Sequence, residues 1–269
     1  LMRERRELLA AWEVLECGKP WREADADIAE AIDFLEFYAR EWQRLAPPKR
    51  LGHEPGELNH RLLSPRGVTA VIAPWNFPLA IPSWKIAPAL AFGNCVVFKP
   101  AELAPASPWA IVDILRRAGL PPGVLNLVMG QGSKLGATLT SSPDIDAISF
   151  TGSQDVGIGI GVSAVKNGTR VQLEMGGKNP LVVLDDADLA TAVNVTVNGS
   201  YFQTGQRCTA SSRIIVTEGI HDRFIAATIE RMKKLVVDDA LKPGTEVGPV
   251  VDDKQLGKNL EYVEIGQKE

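Results

Sequence analysis

Short apolar runs alternate with helical patterns over much of the chain, and this alternation limits the folds that it can adopt. The runs predicted as strands are 68–73, 95–98, 124–128, 147–150, 169–174 and 180–184. Residues that start and stop helices lie between them, such as Ser107-Pro108 before one helical pattern and Gly119 after it. Strands that alternate with helices indicate βαβ units in a doubly wound parallel sheet, an α/β fold. Such sheets bind ligands at the carboxyl ends of their strands.

Other patterns are predicted on both sides of this region. Residues 1–46 are predicted to be helical, because apolar residues between Ile28 and Trp42 fall on one face at helical spacing. Residues 57–63 are predicted to form an edge strand or one arm of a hairpin. After the last strand of the alternation, a helix leads to Cys208. A strand at 213–216 and an amphipathic helix at 220–237 follow, and no terminal element is predicted within 244–269.

Composition narrows the class of protein. With 45% hydrophobic and 23% charged residues, the 269-residue chain is typical of a globular protein with one large or two ordinary domains. A net charge of −4 provides no basic field, so no nucleic-acid partner is expected. No apolar run is long enough for a membrane span, and no membrane partner is expected. Three scattered cysteines do not make a disulfide framework, which favours a reducing compartment and a cytoplasmic location.

One of these cysteines, Cys208, lies in the segment 202–210 at a predicted helix-to-strand connection. Its sequence neighbours are small or polar, and Gly205 lets the backbone approach closely. Thiolates react and thiols do not, so a reactive cysteine needs nearby groups that stabilise negative charge, which backbone amides here would supply. The alternative is a buried, inert cysteine, and this segment alone leaves both open.

Polar residues or glycines lie at the ends of four of the predicted strands or directly after them. They are Asn76, Lys99 with Glu102, Gly152 with Ser153, and Glu174. Each has a simpler interpretation when taken alone. Asn76 would cap a turn between prolines, and Lys99 with Glu102 would be a solvated surface pair. Ser153 would be a helix N-cap and Glu174 a surface carboxylate. In combination with Cys208, the set indicates an active site.

In combination these motifs resemble the aldehyde dehydrogenase superfamily, whose members oxidise aldehydes to carboxylic acids with NAD(P). Four segments carry the resemblance: 73–78, 98–102, 173–178 and 202–210. The similarity runs from about residue 61 to about residue 250. In detail the chain resembles semialdehyde dehydrogenases, such as those for 2-oxoglutarate semialdehyde or succinate semialdehyde.

The resemblance implies a role for each catalytic candidate. Cys208 matches the nucleophile, which forms a thiohemiacetal with the aldehyde and, after hydride transfer, a thioester. Asn76 matches the oxyanion-hole residue, which acts together with the backbone N–H of Cys208. Glu174 matches the general base that activates water for thioester hydrolysis. Lys85 matches a lysine near the proton path.

The resemblance also implies a dinucleotide site and no metal. Trp75 and Ser153, with Gly152, match positions that bind the pyrophosphate, and a helix that begins at Ser153 attracts phosphate through its free N–H groups. Lys99 and Glu102 match positions that meet the adenosine ribose. A carboxylate at 102 accepts from both ribose hydroxyls, so the expected cofactor is NAD, with NADP possible because Lys99 offsets part of the repulsion. The glycines of the helix after Ser153, at 157, 159 and 161, are interpreted as sites of close helix packing.

The domains expected from the resemblance are three. Residues 1–49 and 67–173 form the dinucleotide-binding domain, 50–66 form part of a bridging and oligomerisation arm, and 174–269 form the first part of a catalytic domain. Members of the superfamily continue well past this length, so the chain is expected to be a truncated piece that is inactive alone. The full-length protein is expected to be a homo-oligomer, a dimer or a tetramer, that acts on a small-molecule aldehyde.

Two rival functions and one ambiguous residue stay open at this point. A coenzyme A-acylating aldehyde dehydrogenase would not need the water-activating carboxylate, so Glu174 argues against it. An inactive fragment that only binds a dinucleotide is the other rival. Arg207, beside the nucleophile, is predicted either to steer an anionic substrate or to form a structural salt bridge.

Overall fold

The computed structural model describes residues 1–269, which form two compact units. The first unit contains Leu1–Leu9 and Asp25–Met175, and the second contains Ala10–Ala24 and Gly176–Glu269. The division after Met175 lies close to the predicted domain boundary at 173. The prediction placed all of 1–49 in the first domain, whereas residues 10–24 belong to the second unit. Contacts that sequence patterns do not show, described below, hold this short segment there.

The elements are as follows. The strands are β1 (Lys49–Arg50), β2 (His60–Arg61), β3 (Val68–Ile72), β4 (Cys95–Lys99), β5 (Leu125–Leu127), β6 (Ala147–Gly152), β7 (Arg170–Met175), β8 (Asn179–Val183) and β9 (Ser211–Val216). The helices are α1 (Arg6–Cys17), α2 (Trp21–Leu45), α3 (Ala80–Ala91), α4 (Ala106–Arg117), α5 (Gly132–Ser141), α6 (Gln154–Asn167), α7 (Leu189–Tyr201), α8 (Glu218–Met232) and α9 (Asp253–Lys268). No helix is long and apolar enough to cross a lipid bilayer.

The first unit is built on a five-stranded sheet in the order β5-β4-β3-β6-β7, and every neighbouring pair is parallel. The chain runs outward from β3 through β4 to β5, then returns to β6 on the other side of β3 and ends at β7. Because βαβ crossovers are right-handed, this reversal places helices on opposite faces of the sheet. The predicted doubly wound α/β fold is confirmed. The reversal between β3 and β6 is the topological switch point, where open α/β sheets bind ligands.

Burial explains why these strands form. β3 is apolar and almost wholly buried, as expected for an inner strand of a parallel sheet that is covered on both faces. Its core neighbours include Ile148 and Phe150 of β6 and Ile160 and Ala164 of α6. The edge strand β7 instead alternates exposed and half-buried positions. The exposed positions of β7 include the polar side chains of Gln172 and Glu174.

A buried aspartate on α2 caps the start of α3. The Asp27 side chain is 1% exposed and accepts hydrogen bonds from the backbone N–H groups of Leu79 (3.5 Å) and Ala80 (3.0 Å). No local side chain caps this end of α3. A carboxylate there satisfies orphan donors and meets the positive end of the helix dipole. Asp27 therefore fixes the position of the helix that carries Lys85.

Residues 49–66 form a small exposed hairpin. β1 and β2 pair antiparallel, with Lys49 opposite Arg61 and Arg50 opposite His60. The predicted strand or hairpin arm within 57–63 is confirmed, although each strand is only two residues long. Four leucines on this hairpin are 43–75% exposed: Leu51, Leu58, Leu62 and Leu63.

In the second unit, β8 and β9 pair in parallel and pack against α7 and α8. Val183, Val193, Ile220 and Phe224 form the core of this layer. The predicted helix at 220–237 is shorter than expected and ends at Met232, because Val236 and Val237 are engaged by residues 246–247. The last region was predicted to lack an element, and this was wrong, since α9 occupies it.

A buried ion pair closes the connection between α1 and α2. The Lys19 ammonium donates to the Glu13 carboxylate over 2.8 Å, and both side chains are 0% exposed. The adjacent Gly18 has φ +67°, and a Cβ there would lie 2.8 Å from the carbonyl oxygen of Pro249. The Trp21 indole also donates to the carbonyl oxygen of Leu241. The contacts of Gly18 and Trp21 with Pro249 and Leu241 explain why residues 10–24 belong to the second unit.

Candidate active site

Three segments that are predicted to bind the cofactor lie at the carboxyl ends of adjacent strands in the first unit's sheet. β4, β3 and β6 are adjacent and parallel, so the residues that follow them emerge at the same end. The partly buried Trp75 and Asn76 follow β3, and Gly152 ends β6 immediately before Ser153. These two segments therefore flank the switch point between β3 and β6. Lys99 ends β4 on the far side of β3.

Lys99 and Glu102 form an asymmetric pair. The Lys99 side chain is 5% exposed and that of Glu102 is 50% exposed, and their charged atoms are 3.9 Å apart. The Lys99 ammonium also donates to the carbonyl oxygen of Pro100. Burial lowers the pKa of Lys99, and the charge of Glu102 partly opposes this. The alternative of a solvated surface pair is wrong for Lys99, while Glu102 presents a carboxylate that also accepts from the backbone N–H of Gly132.

The start of α6 is shaped by small residues. A Cβ on Gly152 would lie 2.5 Å from the Phe150 ring, so only glycine fits without a shift. Ser153 occupies the N-cap position, yet its side chain makes no capping hydrogen bond. The simple N-cap interpretation therefore does not explain the Ser153 hydroxyl. Free backbone N–H groups at the start of this 14-residue helix are the groups that attract anions.

The glycines of α6 only partly match their predicted packing role. A Cβ on Gly157 would lie 2.5 Å from the sulfur of Met175, and one on Gly161 would lie 3.3 Å from Leu173. Close packing is confirmed at these two positions. It is wrong at Gly159, which has no neighbour within 4 Å of its Cβ position.

Lys85 and Glu174 belong to one hydrogen-bond network on β6 and β7. The buried Lys85 ammonium donates to the Ser149 hydroxyl (3.0 Å), the Phe150 carbonyl (3.3 Å) and the side-chain oxygen of Gln172 (3.2 Å). The Gln172 side-chain nitrogen donates to the Glu174 carboxylate over 3.0 Å. The structure therefore brings two predicted site residues together through a third residue that the sequence analysis missed. A glutamine on an edge strand carries no sequence signal of such a role.

The Lys85 ammonium is less basic than an ordinary lysine. Burial lowers its pKa from 10.5 to about 8, and the negative charge of Glu174 partly opposes the shift. Between pH 8 and pH 10.5, the folded state has lost this proton while the unfolded state keeps it. Folding therefore becomes more favourable as pH rises through this window.

This titration yields a measurable prediction. Relative to a Lys85→Met variant, the wild-type free energy of unfolding is expected to increase as pH is raised from 8 toward 10. Urea unfolding at a series of pH values, with both proteins followed by tryptophan fluorescence, checks it. A difference between the two proteins that stays constant with pH would contradict the assignment.

In the second unit, Cys208 is an exposed free thiol that follows a constrained turn. The turn Phe202–Gly205 holds Gln203 at φ 53° and Thr204 at φ 57°, in the left-handed region that non-glycine residues seldom adopt. The Thr204 hydroxyl donates to the Gly248 carbonyl over 2.8 Å. The alternative of an inert cysteine requires a buried thiol, and Cys208 is exposed.

Asn179, at the start of β8, holds the segment on the other side of the thiol. Its side-chain nitrogen donates to the carbonyl oxygens of Cys208 (2.8 Å) and Ala210 (3.2 Å). Asn179 belongs to none of the motifs recognised in the sequence. The backbone of the candidate nucleophile is therefore fixed by a side chain 29 residues earlier in the chain.

The two interpretations of Arg207 are resolved by its partners. Its guanidinium forms a salt bridge with Glu23 and donates to the side-chain oxygen of Asn198 over 3.3 Å. Both side chains of the salt bridge are mostly buried, at 17% and 14% exposure. Arg207 is thus a structural ion-pair partner, which also ties the start of α2 to the segment before Cys208.

The candidate residues are divided between the two units. Asn76, Lys85 and Glu174 belong to the first unit and Cys208 to the second. The structure joins Lys85 to Glu174, as described above. The convergence of Asn76 and Glu174 on Cys208 stays a prediction.

Comparison with known proteins covers the whole chain. The sequence is 43% identical over 269 residues to the alpha-ketoglutaric semialdehyde dehydrogenase of Bacillus subtilis, and this match spans 100% of the chain and 55% of the relative. The fold matches a Staphylococcus aureus betaine aldehyde dehydrogenase solved with NAD+, with a TM-score of 0.95 and 36% identity over 99% of this chain and 53% of that one. It also matches an NADP-dependent enzyme of Escherichia coli, with a TM-score of 0.94 and 38% identity over 98% of this chain and 55% of that one.

The chain therefore spans about half the length of the curated relatives and solved structures that it matches. A model of the family described as "Aldehyde dehydrogenase family" matches residues 1–269. The chain belongs to the aldehyde dehydrogenase family.

Proposed function

We propose that the full-length protein oxidises an aldehyde to a carboxylic acid with NAD(P)+, through a covalent intermediate on Cys208. The observation that carries the proposal is an exposed thiol on a constrained turn, in a chain that matches the family over its whole length. The turn and Asn179 fix the backbone on both sides of the thiol. A fixed nucleophile meets its substrate with little loss of entropy.

The first stage joins the substrate to the enzyme. The Cys208 thiolate attacks the aldehyde carbon, a carbon–sulfur bond forms, and the electron pair of the C=O bond moves to oxygen. The Asn76 side-chain amide donates a hydrogen bond to that oxygen, together with the backbone N–H of Cys208. Such donors act most strongly on the charge that develops during the reaction. When bound, NAD(P)+ accepts the hydride that the thiohemiacetal carbon releases.

The second stage frees the product. Glu174 accepts a proton from water, whose oxygen attacks the thioester carbon, and the carbon–sulfur bond breaks to restore the thiolate. The carboxylate suits this role because it is exposed at the end of β7 and is held by a neighbouring amide. Lys85, whose pKa burial lowers to about 8, lies one residue further along the same network and is proposed to belong to the proton path. The required meeting of Cys208, Asn76 and Glu174 is part of the proposal.

The residues of the first unit fit a dinucleotide. Glu102 presents an exposed carboxylate that suits two ribose hydroxyls, beside the ammonium of Lys99. Gly152 has no side chain that would block the start of α6. At this helix start, Ser153, the α6 backbone amides and Trp75 would hold the pyrophosphate. NAD is the proposed first cofactor, and NADP is proposed as a second. One similar structure contains NAD+ and another is an NADP-dependent enzyme, which supports both.

A semialdehyde is the proposed substrate class. The 43% identity to a semialdehyde dehydrogenase supports it.

We also propose that the full-length protein is a homo-oligomer that acts in the cytoplasm. Exposed leucines on the β1–β2 hairpin, 43–75% accessible, support a contact with a second copy, and three free thiols support a reducing compartment.

The rival coenzyme A-acylating reaction is less well supported. It would pass the acyl group from Cys208 to another thiol and would leave Glu174 without a role. The carboxylate is present, and its hydrogen bond to Gln172 holds it at the strand end. A Glu174→Gln variant of the full-length protein that still forms acid at the wild-type rate would favour the rival.

A substrate panel tests the proposed function. The full-length protein is mixed with semialdehydes and simple aldehydes, with NAD+ or NADP+ in parallel, and absorbance at 340 nm reports the reduced cofactor. We expect reduction with NAD+ and fastest turnover with a semialdehyde, with the acid as product. The absence of cofactor reduction with every aldehyde would overturn the proposal.

A further inference from the structure

We propose that Gln172 is a positioning residue, which joins the Lys85 ammonium to the Glu174 carboxylate and holds that carboxylate in the orientation needed to activate water. The inference rests on the role proposed above for Glu174. All the groups involved lie in the first unit, on α3, β6 and β7.

The sheet register brings these side chains together. Gln172 and Glu174 are two residues apart on β7, so their side chains stand on the same face of the strand. Ser149 of β6 is paired directly with Gln172, and its hydroxyl donates to the glutamine side-chain oxygen over 2.6 Å. Lys85 reaches the same oxygen from α3 over 3.2 Å. The amide is therefore anchored at its oxygen end by two donors.

The amide at position 172 satisfies both charged neighbours at once. An ammonium can only donate hydrogen bonds and a carboxylate can only accept them. The Gln172 oxygen accepts from Lys85 while its nitrogen donates to Glu174 over 3.0 Å. The opposite orientation of the amide would place its NH₂ group against the ammonium and its oxygen against the carboxylate. The two charged neighbours thus fix the orientation of the amide.

Glu174 needs such a partner because little else restrains it. It is exposed near the end of an edge strand, where packing does not select one rotamer. Gln172 is the side chain that donates a hydrogen bond to it. A general base must lie within hydrogen-bond reach of the water that it deprotonates, so loss of this contact affects the hydrolytic stage and leaves hydride transfer intact.

The test compares the two stages in the full-length protein. In Gln172→Met, which has a similar volume and no hydrogen-bonding groups, we expect kcat to fall roughly 10- to 100-fold. The rate constant of the pre-steady-state burst of NADH is expected to stay within about twofold of wild type, since that burst precedes the step that uses Glu174. Gln43→Met, at an exposed position of α2, is the matched control and should keep wild-type values for both.

Two further variants separate positioning from damage to the fold. Ser149→Ala removes one anchor of the amide oxygen and leaves Gln172 in place, so it should slow turnover in the same selective way by a smaller factor. In the Lys85→Met background, Gln172→Met should lower kcat by a smaller factor than it does in wild type, because the hydrogen bond between Lys85 and Gln172 is already absent. Equal factors in the two backgrounds would overturn the bridging role.

The outcomes distinguish this inference from the proposed function. If wild type oxidises an aldehyde and Gln172→Met keeps its kcat, the positioning role falls and the proposed function stands. An equal drop in the burst rate constant and kcat also overturns the role, because it indicates general damage. If wild type reduces no cofactor with any aldehyde, it is the proposed function that fails.

Discussion

Replacing Cys208 with alanine in the full-length protein is expected to reduce aldehyde oxidation by about 10⁴-fold or more. Without the sulfur there is no covalent intermediate from which hydride can leave, so both stages of the proposed reaction are lost together. Absorbance at 340 nm with the best aldehyde of the panel measures the loss. Dinucleotide binding, followed by quenching of tryptophan fluorescence, should persist, because the residues proposed to hold the cofactor belong to the first unit.

A second exposed cysteine provides the matched control. Cys95 starts β4 and is also an exposed free thiol, but it has no proposed role. Cys95→Ala should therefore keep wild-type turnover, and only Cys208→Ala should lose it. Retention of more than about one hundredth of wild-type activity in Cys208→Ala would contradict covalent catalysis by this residue.

The second large effect concerns stability. Replacing Lys19 with methionine is expected to lower the free energy of unfolding by about 3–5 kcal/mol, because it removes the ammonium that pairs with the buried Glu13 carboxylate. Urea unfolding followed by tryptophan fluorescence measures it, since Trp12 and Trp21 lie in the same segment of the chain. Lys234→Met, at an exposed site of the same unit, should change stability by no more than about 0.5 kcal/mol.

A double variant separates the contribution of the ion pair from the free-energy cost of keeping a single charge buried. Glu13→Leu combined with Lys19→Met removes both charges, so it should recover much of the stability lost in Lys19→Met alone. A double variant that is no more stable than Lys19→Met alone would show that loss of the ion pair itself, and not the buried charge left behind, accounts for the lost stability.

The inner strands of the first unit's sheet were predictable from sequence because they are largely buried. Runs such as 68–73 and 95–98 are continuous and apolar, and turn residues bound each of them. The structure has a strand that overlaps each of the six predicted runs of the alternation. α9 was missed because Gly257 and Gly266 interrupt its sequence, although Leu256, Leu260 and Val263 recur at helical spacing.

Contacts distant in sequence explain the other gaps. The buried pair of Glu13 and Lys19 was not foreseen, since charged residues are rarely buried and their pairing depends on the turn between two helices. Asp27 lies among polar residues of α2, and its capping role depends on α3, more than 50 residues later. Gln172 and Asn179 become informative only when the register of neighbouring strands is known. Motifs at strand ends were recognisable, while the residues that hold them were not.

The left-handed turn before Cys208 has a consequence for protein engineering. Gln203 and Thr204 keep their unfavourable backbone angles while residues 248–251 hold the turn, through the Thr204 hydroxyl and through the Val251 N–H that donates to the Gln206 side chain. A split-enzyme reporter divided between 210 and 248 would place the nucleophile and its clamp on separate polypeptides. Reassembly of the two halves would then restore the turn, so that the thiol itself would report whether they had associated.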